Sequence, residues 1–264
     1  MTTAAPSIVL GRHVWSELMT TDPKAAESFY NKVVGWTSEP FPASPTPYTR
    51  FKRGADSGVA GLMQLPAGMN MPPFWSMYIA VPNFEEAVAK VKRLGGRELS
   101  SVIDIPSVGR MQMVTDPQGA AFYIMQPAPR DQQPPDQEPQ IGEASWLELM
   151  TTDAPAAMKF YQELFGWQPT DAMDMGDMGK YQMFNRPHGM IGGMMNKGPE
   201  MADVPPNWQI YFRVPDINAA TERIKANGGK ILNGPMEVPG GDWIVNGMDP
   251  QGAAFSLHQR NAGA

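Results

Sequence analysis

The chain of 264 residues has no cysteine and only three histidines. That excludes disulfides, thiolate metal sites and cysteine nucleophiles together, and it leaves little imidazole for a conventional catalytic set. Positive charge is also short. Twenty-one lysines and arginines face 27 acidic residues, for a formal net charge of −6, and the basic residues nowhere cluster. Phosphate backbones are gripped by a concentrated basic face, so nucleic acid is not an expected partner. No apolar run approaches the roughly 20 residues of a membrane helix, so no membrane partner is expected. Residues 1–10 lack the basic and apolar regions of a signal peptide. No GxSxG and no phosphate-binding GxxxxGK occurs. Together these absences describe a globular protein, and the lack of cysteine suits the cytoplasm.

What the chain does have is repetition. Residues 15–36, WSELMTTDPKAAESFYNKVVGW, return at 146–167 as WLELMTTDAPAAMKFYQELFGW, and DPQGAAF at 116–122 returns unchanged at 249–255. The offsets are 131 and 133 positions, and Val81-Pro82 and Gly95-Gly96 recur in order as Val214-Pro215 and Gly228-Gly229. Order and spacing together mark a tandem duplication. Between the copies, QPAPRDQQPPDQEPQ at 126–140 has almost nothing to bury and reads as an extended linker. The expected organisation is a first module over residues 1–127, a linker over 128–140 and a second module over 141–264.

Within a module, His13, Trp15 and Glu17 alternate with Val14, Ser16 and Leu18, as on a strand with two unlike faces. Asp22 occupies an N-cap position before Pro23, apolar residues follow at helical spacing, and Gly35 ends the helix. Asp153, with Pro155 two residues later, repeats the device. Tyr48–Arg53, Val59–Leu65 and Phe74–Val81 read as strands, and Asn83 caps a helix over Phe84–Leu94. Arg110–Thr115 and Ala120–Met125 read as a hairpin around Asp116-Pro117-Gln118-Gly119. The implied class is α+β: paired βαβββ units, curved antiparallel sheets, helices outside and a concave inner cavity.

This order, the Asp-capped helix bearing Phe-Tyr and the closing DPQGAAF resemble the vicinal oxygen chelate superfamily, the glyoxalase/bleomycin-resistance/dioxygenase type. The resemblance covers both modules. WxELxTTD, MPPFWSMYIAV at 71–81 and IPSVGR at 105–110 narrow it to two-module bacterial glyoxalase-like proteins of the mycobacterial antigen group. Metal-dependent members of the superfamily hold a divalent cation with His, Glu or Gln from three strands. The resemblance places those positions seven residues before the helix-capping Asp, on the middle strand, and four residues after the Gly of the turn. Here they are Trp15, Ser76 and Tyr123 in one module and Trp146, Gln209 and Ser256 in the other. Only Gln209 is a credible ligand, because indole offers no usable lone pair and Ser and Tyr ligate such an ion weakly. No cofactor is therefore expected. Strand alternation puts Glu17, Glu148 and His258 on the corresponding faces, which leaves a substitute divalent-metal site from those three as the alternative.

Without a metal, the inner faces offer Trp15, Glu17, Ser76, Tyr78, Tyr123, Trp146, Glu148, Gln209, Tyr211 and Ser256 as a ligand-binding lining. Aromatic rings with a few polar groups suit a small organic molecule, and the role expected is sequestration, sensing or detoxification. The same rings could instead pack on one another and fill the interior. If the protein is an enzyme, Glu17 and Glu148 are the acid/base candidates for a glyoxalase-like lyase or isomerase, or for a ring-cleaving oxygenase. A regulatory, partner-binding protein with a filled core is a third reading. His13 and His188 stand alone, and the methionine-rich run 173–178 reads as packing before it reads as a Cu(I) site. Arg110, replaced by Trp243 in the second copy, is either an anion contact or the partner of an acidic residue. One chain carrying two modules can satisfy its own pairing as a monomer, and a homodimer stays open.

Overall fold

Local signals place the helices where the sequence puts them. In the computed structural model, which describes residues 8–44, 46–54, 57–68, 71–129, 137–187 and 189–261, α1 (Pro23–Val34) starts where Asp22 Oδ1 accepts the Ala25 N–H at 3.0 Å and ends at left-handed Gly35. α3 (Ala154–Phe165) repeats this with Asp153 and Gly166. Asn83 caps α2 (Phe84–Arg93) and Asp216 caps α4 (Ile217–Ala226) through the same side-chain-to-backbone bond. Each such cap satisfies an N–H that the first helical turn cannot. His188 and most of the linker lie outside the described residues. No helix among the described residues is long and apolar enough to cross a membrane.

The strands of the first module are β1 (His13–Thr20), β2 (Thr37–Pro40), β3 (Tyr48–Arg53), β4 (Ser57–Gln64), β5 (Phe74–Ala80), β6 (Arg97–Glu98), β7 (Ile103–Ile105), β8 (Gly109–Thr115) and β9 (Ala121–Pro127). Those of the second are β10 (Ala144–Thr151), β11 (Gln168–Asp174), β12 (Lys180–Arg186), β13 (Gly189–Asn196), β14 (Asn207–Arg213), β15 (Lys230–Glu237), β16 (Trp243–Met248) and β17 (Ala254–Gln259). The class is α+β, and each module is two βαβββ units. Strand order is β2-β3-β4-β1 and β5-β9-β8-β6 in the first module, then β11-β12-β13-β10 and β14-β17-β16-β15 in the second.

The antiparallel expectation holds for the hairpins but not for the closing pairs. β1 and β4, β5 and β9, and β14 and β17 run parallel. The reason is directional: after the crossover helix, a three-strand meander ends running the same way as the first strand. The short strands β2, β6 and β7 carry no clear alternation, so the βαβββ order called for a strand after each helix without giving its bounds, and β7 is an additional strand.

The compact units cut across the sequence repeat. One gathers Met77–Gln137 and Glu148–Trp208 with the early segment ending at Val14, and the other gathers Trp15–Ser76, Glu138–Leu147 and Gln209–Ala264. Each unit thus takes half of each module. Their cores are built alike. In the second unit Trp75 Nε1 donates to Tyr30 Oη at 2.9 Å, and Tyr30 Oη donates to Asp249 Oδ2 at 3.0 Å. In the first unit Trp208 donates to Tyr161 at 3.0 Å, and Tyr161 to Asp116 Oδ2 at 3.0 Å. The Phe-Tyr of one module's helix therefore meets the Asp-Pro-Gln-Gly turn of the other.

Each aspartate also holds its own turn. Asp116 Oδ1 accepts from Gly119 and Ala120, both at 2.8 Å, and Asp249 Oδ1 from Gln251 and Ala253, both at 2.9 Å. Burial raises both carboxyls above the ordinary aspartate range despite these bonds. Burial, then the neighbouring carboxylate, holds the Tyr30 and Tyr161 phenols well above theirs. Aromatic rings close around each relay: Phe29, Trp36, Phe51, Phe212 and Phe255 in one unit, Phe122, Phe160, Phe165, Trp167 and Phe184 in the other.

Candidate functional site

The first-strand candidates sit beside tyrosines that the sequence reading missed. Trp15 Nε1 donates to Tyr48 Oη at 2.8 Å. Glu17 lies opposite Gly61 in the β1–β4 register and is buried. A Cβ at Gly61 would stand 1.7 Å from Tyr48 Oη, so the Tyr48 ring crosses the strand over that glycine. The second module repeats the arrangement with a different partner. Tyr181 crosses Gly193, where a Cβ would meet its ring at 2.2 Å, and its hydroxyl donates to Glu148 Oε2 at 2.9 Å. Glycine inside a strand marks close approach of another group, and that was the available signal for Tyr48 and Tyr181.

Tyr78 and Tyr123 face each other across the parallel β5–β9 register. Their rings stack with centroids 4.2 Å apart and planes 1° from parallel, and both are buried. No planar ligand fits between these two rings; they are each other's stacking partner. Ser76 is buried, and Trp146 is half-exposed.

The second module's counterpart is polar. Gln209 Nε2 donates to Ser256 Oγ at 2.9 Å, Asn246 Nδ2 donates to the same oxygen at 2.6 Å, and Asn246 Nδ2 also reaches Tyr211 Oη at 3.1 Å. Three expected residues are thus brought together by a fourth, Asn246, whose first-module counterpart is Met113. A polar residue in one copy where the other has an apolar one was the signal that could have found it.

His258 is not available as a metal ligand: Nδ1 lies 2.8 Å from Ser145 Oγ and Nε2 lies 2.9 Å from Asp242 Oδ2. Among the described residues no group of three His, Cys, Asp or Glu side chains is placed to hold a metal ion. That corrects the Glu17, Glu148, His258 alternative. The standard positions fare no better on their chemistry. Trp15 presents an N–H donor, Ser256 oxygen already accepts two amide N–H groups, and Tyr123 is stacked on Tyr78. This donor set does not fit the divalent cation of metal-dependent vicinal oxygen chelate proteins.

Arg110 resolves as the partner of acidic residues. It bonds to Glu85, lies 3.6 Å from Asp104, and its guanidinium sits 4.8 Å from the Phe84 ring centroid. That bond, first among its causes, holds the Glu85 carboxyl below its ordinary range. Beside it a groove of about 330 Å³ runs along α2, lined by Phe84, Val88, Val102 and Gln112 among others.

Comparison with known proteins follows these lines. Residues 144–257 match the Glyoxalase/Bleomycin resistance protein/Dioxygenase superfamily, and residues 15–125 match a glyoxalase-like domain. The Mycobacterium tuberculosis protein CFP32, provisionally named a glyoxylase, is 32% identical over 247 residues, 92% of each chain. The anthracycline biosynthesis protein DnrV of Streptomyces peucetius is 27% identical over 277 residues, covering 100% of this chain and 97% of its own. Among solved structures, the Mn(II)-bound glyoxalase from Novosphingobium aromaticivorans superposes with a TM-score of 0.66 at 18% identity, over 96% of this chain and 83% of that one. The 2,3-dioxygenase LapB from Pseudomonas sp. KL28 gives 0.66 at 12%, over 96% and 93%. At these identities the structures share the fold.

Proposed function

Because the chain belongs to the glyoxalase/bleomycin resistance protein/dioxygenase superfamily, we propose that it binds a small organic molecule without a divalent metal at the superfamily's usual ligand positions. The observation that carries this reading is the linked set Gln209, Ser256, Asn246 and Tyr211. Gln209 and Ser256 are two of the positions at which the family resemblance implies metal ligands, and here they exchange hydrogen bonds in place of donating lone pairs to a cation. Such a set suits carbonyl and hydroxyl oxygens on an otherwise apolar ligand. The name of the Streptomyces relative, anthracycline biosynthesis, supports a planar aromatic ligand class. Sequestration, sensing or detoxification are the roles that follow from binding without chemistry.

The test has two arms. Elemental analysis of tag-free protein, purified without chelators and then titrated with Zn²⁺, Ni²⁺, Mn²⁺ and Fe²⁺, is expected to give no stoichiometric metal. A tryptophan-fluorescence screen of planar phenols and quinones is expected to give binding that Gln209→Ala or Asn246→Ala weakens about tenfold, the cost of one hydrogen bond to a ligand. Stoichiometric metal would overturn the reading.

An enzymatic reading is favoured by one contact, the Tyr181 hydroxyl on Glu148. A carboxylate oriented by a phenol is a serviceable acid/base group for a lyase or isomerase. Turnover that survives chelators and disappears in Glu17→Gln with Glu148→Gln would move this reading to first place.

A further inference from the structure

Ser145, His258 and Asp242 form a hydrogen-bonded sequence within one compact unit. The proton assignments follow from the partners. Asp242 Oδ2, 2.9 Å from Nε2, belongs to a carboxylate and only accepts, so Nε2 carries the hydrogen. Nδ1 is then the lone-pair nitrogen, and Ser145 Oγ, 2.8 Å away, donates to it. The Tyr211 carbonyl oxygen offers the same hydroxyl a longer alternative at 3.2 Å. Asp242 is itself held, because its other oxygen accepts the Asn261 backbone N–H at 2.8 Å. The His258 side chain keeps 14% of its surface exposed and Asp242 30%, and Ser145 is half-exposed.

The fold does not demand this constellation. The corresponding first-module positions are Val14, Met125 and Gly109, and β1, β9 and β8 form there without it. A nucleophile within reach of a base, with the base oriented by a third group, is the general arrangement of an activated hydroxyl, whatever the chain order and whichever imidazole nitrogen serves.

We propose that Ser145 is an activated nucleophile that accepts acyl groups from aryl and similarly activated small esters, with His258 as general base and Asp242 as its positioning residue. Ser145 Oγ attacks the ester carbonyl carbon while its proton passes to His258 Nδ1. The tetrahedral adduct then collapses, the bond to the leaving oxygen breaks, and that oxygen departs as the alcohol with the proton from Nδ1. Water attacks the acyl-serine next, yielding its proton to Nδ1, and the carboxylic acid leaves as Ser145 regains a proton. Activated esters are the fitting class because their leaving groups depart with little further assistance.

The probes are p-nitrophenyl acetate and a fluorophosphonate on the full chain, read by intact mass and peptide mapping. One adduct per chain on Ser145 is expected, absent in Ser145→Ala. His258→Gln should slow labelling about a hundredfold and Asp242→Asn at least about tenfold, with thermal midpoints of all variants measured alongside. If Ser145→Ala fails to fold, the wild-type peptide map serves: the adduct must fall on Ser145 and on no other serine. An unmodified Ser145, adducts scattered over other serines, or a His258→Gln rate equal to wild type would each overturn the proposal.

Discussion

The two descendants of one strand set, β5 with β8 and β9 and β14 with β16 and β17, share a backbone and differ in chemistry. Where the first module places Ser76, Tyr78, Met113, Tyr123 and Met125, the second places Gln209, Tyr211, Asn246, Ser256 and His258. One side closes on itself through the Tyr78–Tyr123 stack, and the other is a chain of amide and hydroxyl hydrogen bonds. By contrast, the Trp–Tyr–Asp relays are the same in both compact units to within about 0.1 Å. The relay residues stayed alike after duplication, and so did the first-strand pairs Trp15/Trp146 and Glu17/Glu148, whereas Ser76/Gln209, Met113/Asn246 and Tyr123/Ser256 diverged.

The equivalence of the relays can be broken most heavily at their aspartates. Asp116→Ala and Asp249→Ala each strand a buried tyrosine hydroxyl and two turn N–H groups. Each is expected to cost about 3 kcal/mol in urea unfolding, and the two costs should agree within about 1 kcal/mol. A large inequality would show that one unit leans on its relay more than the other. The same aspartates give a pH signature. Because burial raises both carboxyls in the folded state, the folded protein holds protons there more tightly than the unfolded chain. Their contribution is complete below the ordinary aspartate range and is lost as pH rises through the raised values. The stability advantage of wild type over Asp116→Asn should therefore shrink as pH rises above the ordinary aspartate range.

Smaller effects sharpen the comparison at the crossing tyrosines. Gly61→Ala and Gly193→Ala must displace Tyr48 and Tyr181, at about 2 kcal/mol each for the overpacked contact. The first should perturb tryptophan emission through Trp15, because it breaks the Trp15–Tyr48 bond. The second should leave Trp15 untouched. The reciprocal exchange follows. Met113→Asn sets an amide beside the stacked tyrosines and is expected to cost about 1–2 kcal/mol, while Asn246→Met removes two hydrogen bonds at about 1 kcal/mol. No measurable cost for either exchange in calorimetry would mean the two halves are not specialised as described. Arg110→Ala, at an exposed ion pair, should leave the thermal midpoint unchanged.

Much of the architecture was legible because it is encoded locally. The Asp22 and Asp153 caps, the glycine stops, the Asp116–Gly119 turn and strand β3 depend on residues a few positions apart. The site was less legible. Trp15, Gln209 and Ser256 were found by counting to the positions that the family resemblance implies, and Glu17, Glu148 and His258 by alternation from them, yet Tyr48 beside Trp15, Asn246 beside Ser256 and Tyr181 beside Glu148 come from other strands. Alternation reports which face a residue takes and says nothing about what stands across from it. The Tyr78–Tyr123 pair illustrates the difference: both rings were placed on the inner face, and only the parallel register set them in contact.

The sequence by itself determined the duplication, the α+β class and the limits of α1 and α2, because each rests on residue type and short-range spacing. Only the tertiary structure decided that Tyr30 meets Asp249 and Tyr161 meets Asp116, so that each core is completed by the other module. It also decided that His258 lies between a serine and an aspartate. Those are non-local contacts, fixed by which strands pair and in which direction, and no short-range pattern carries that information.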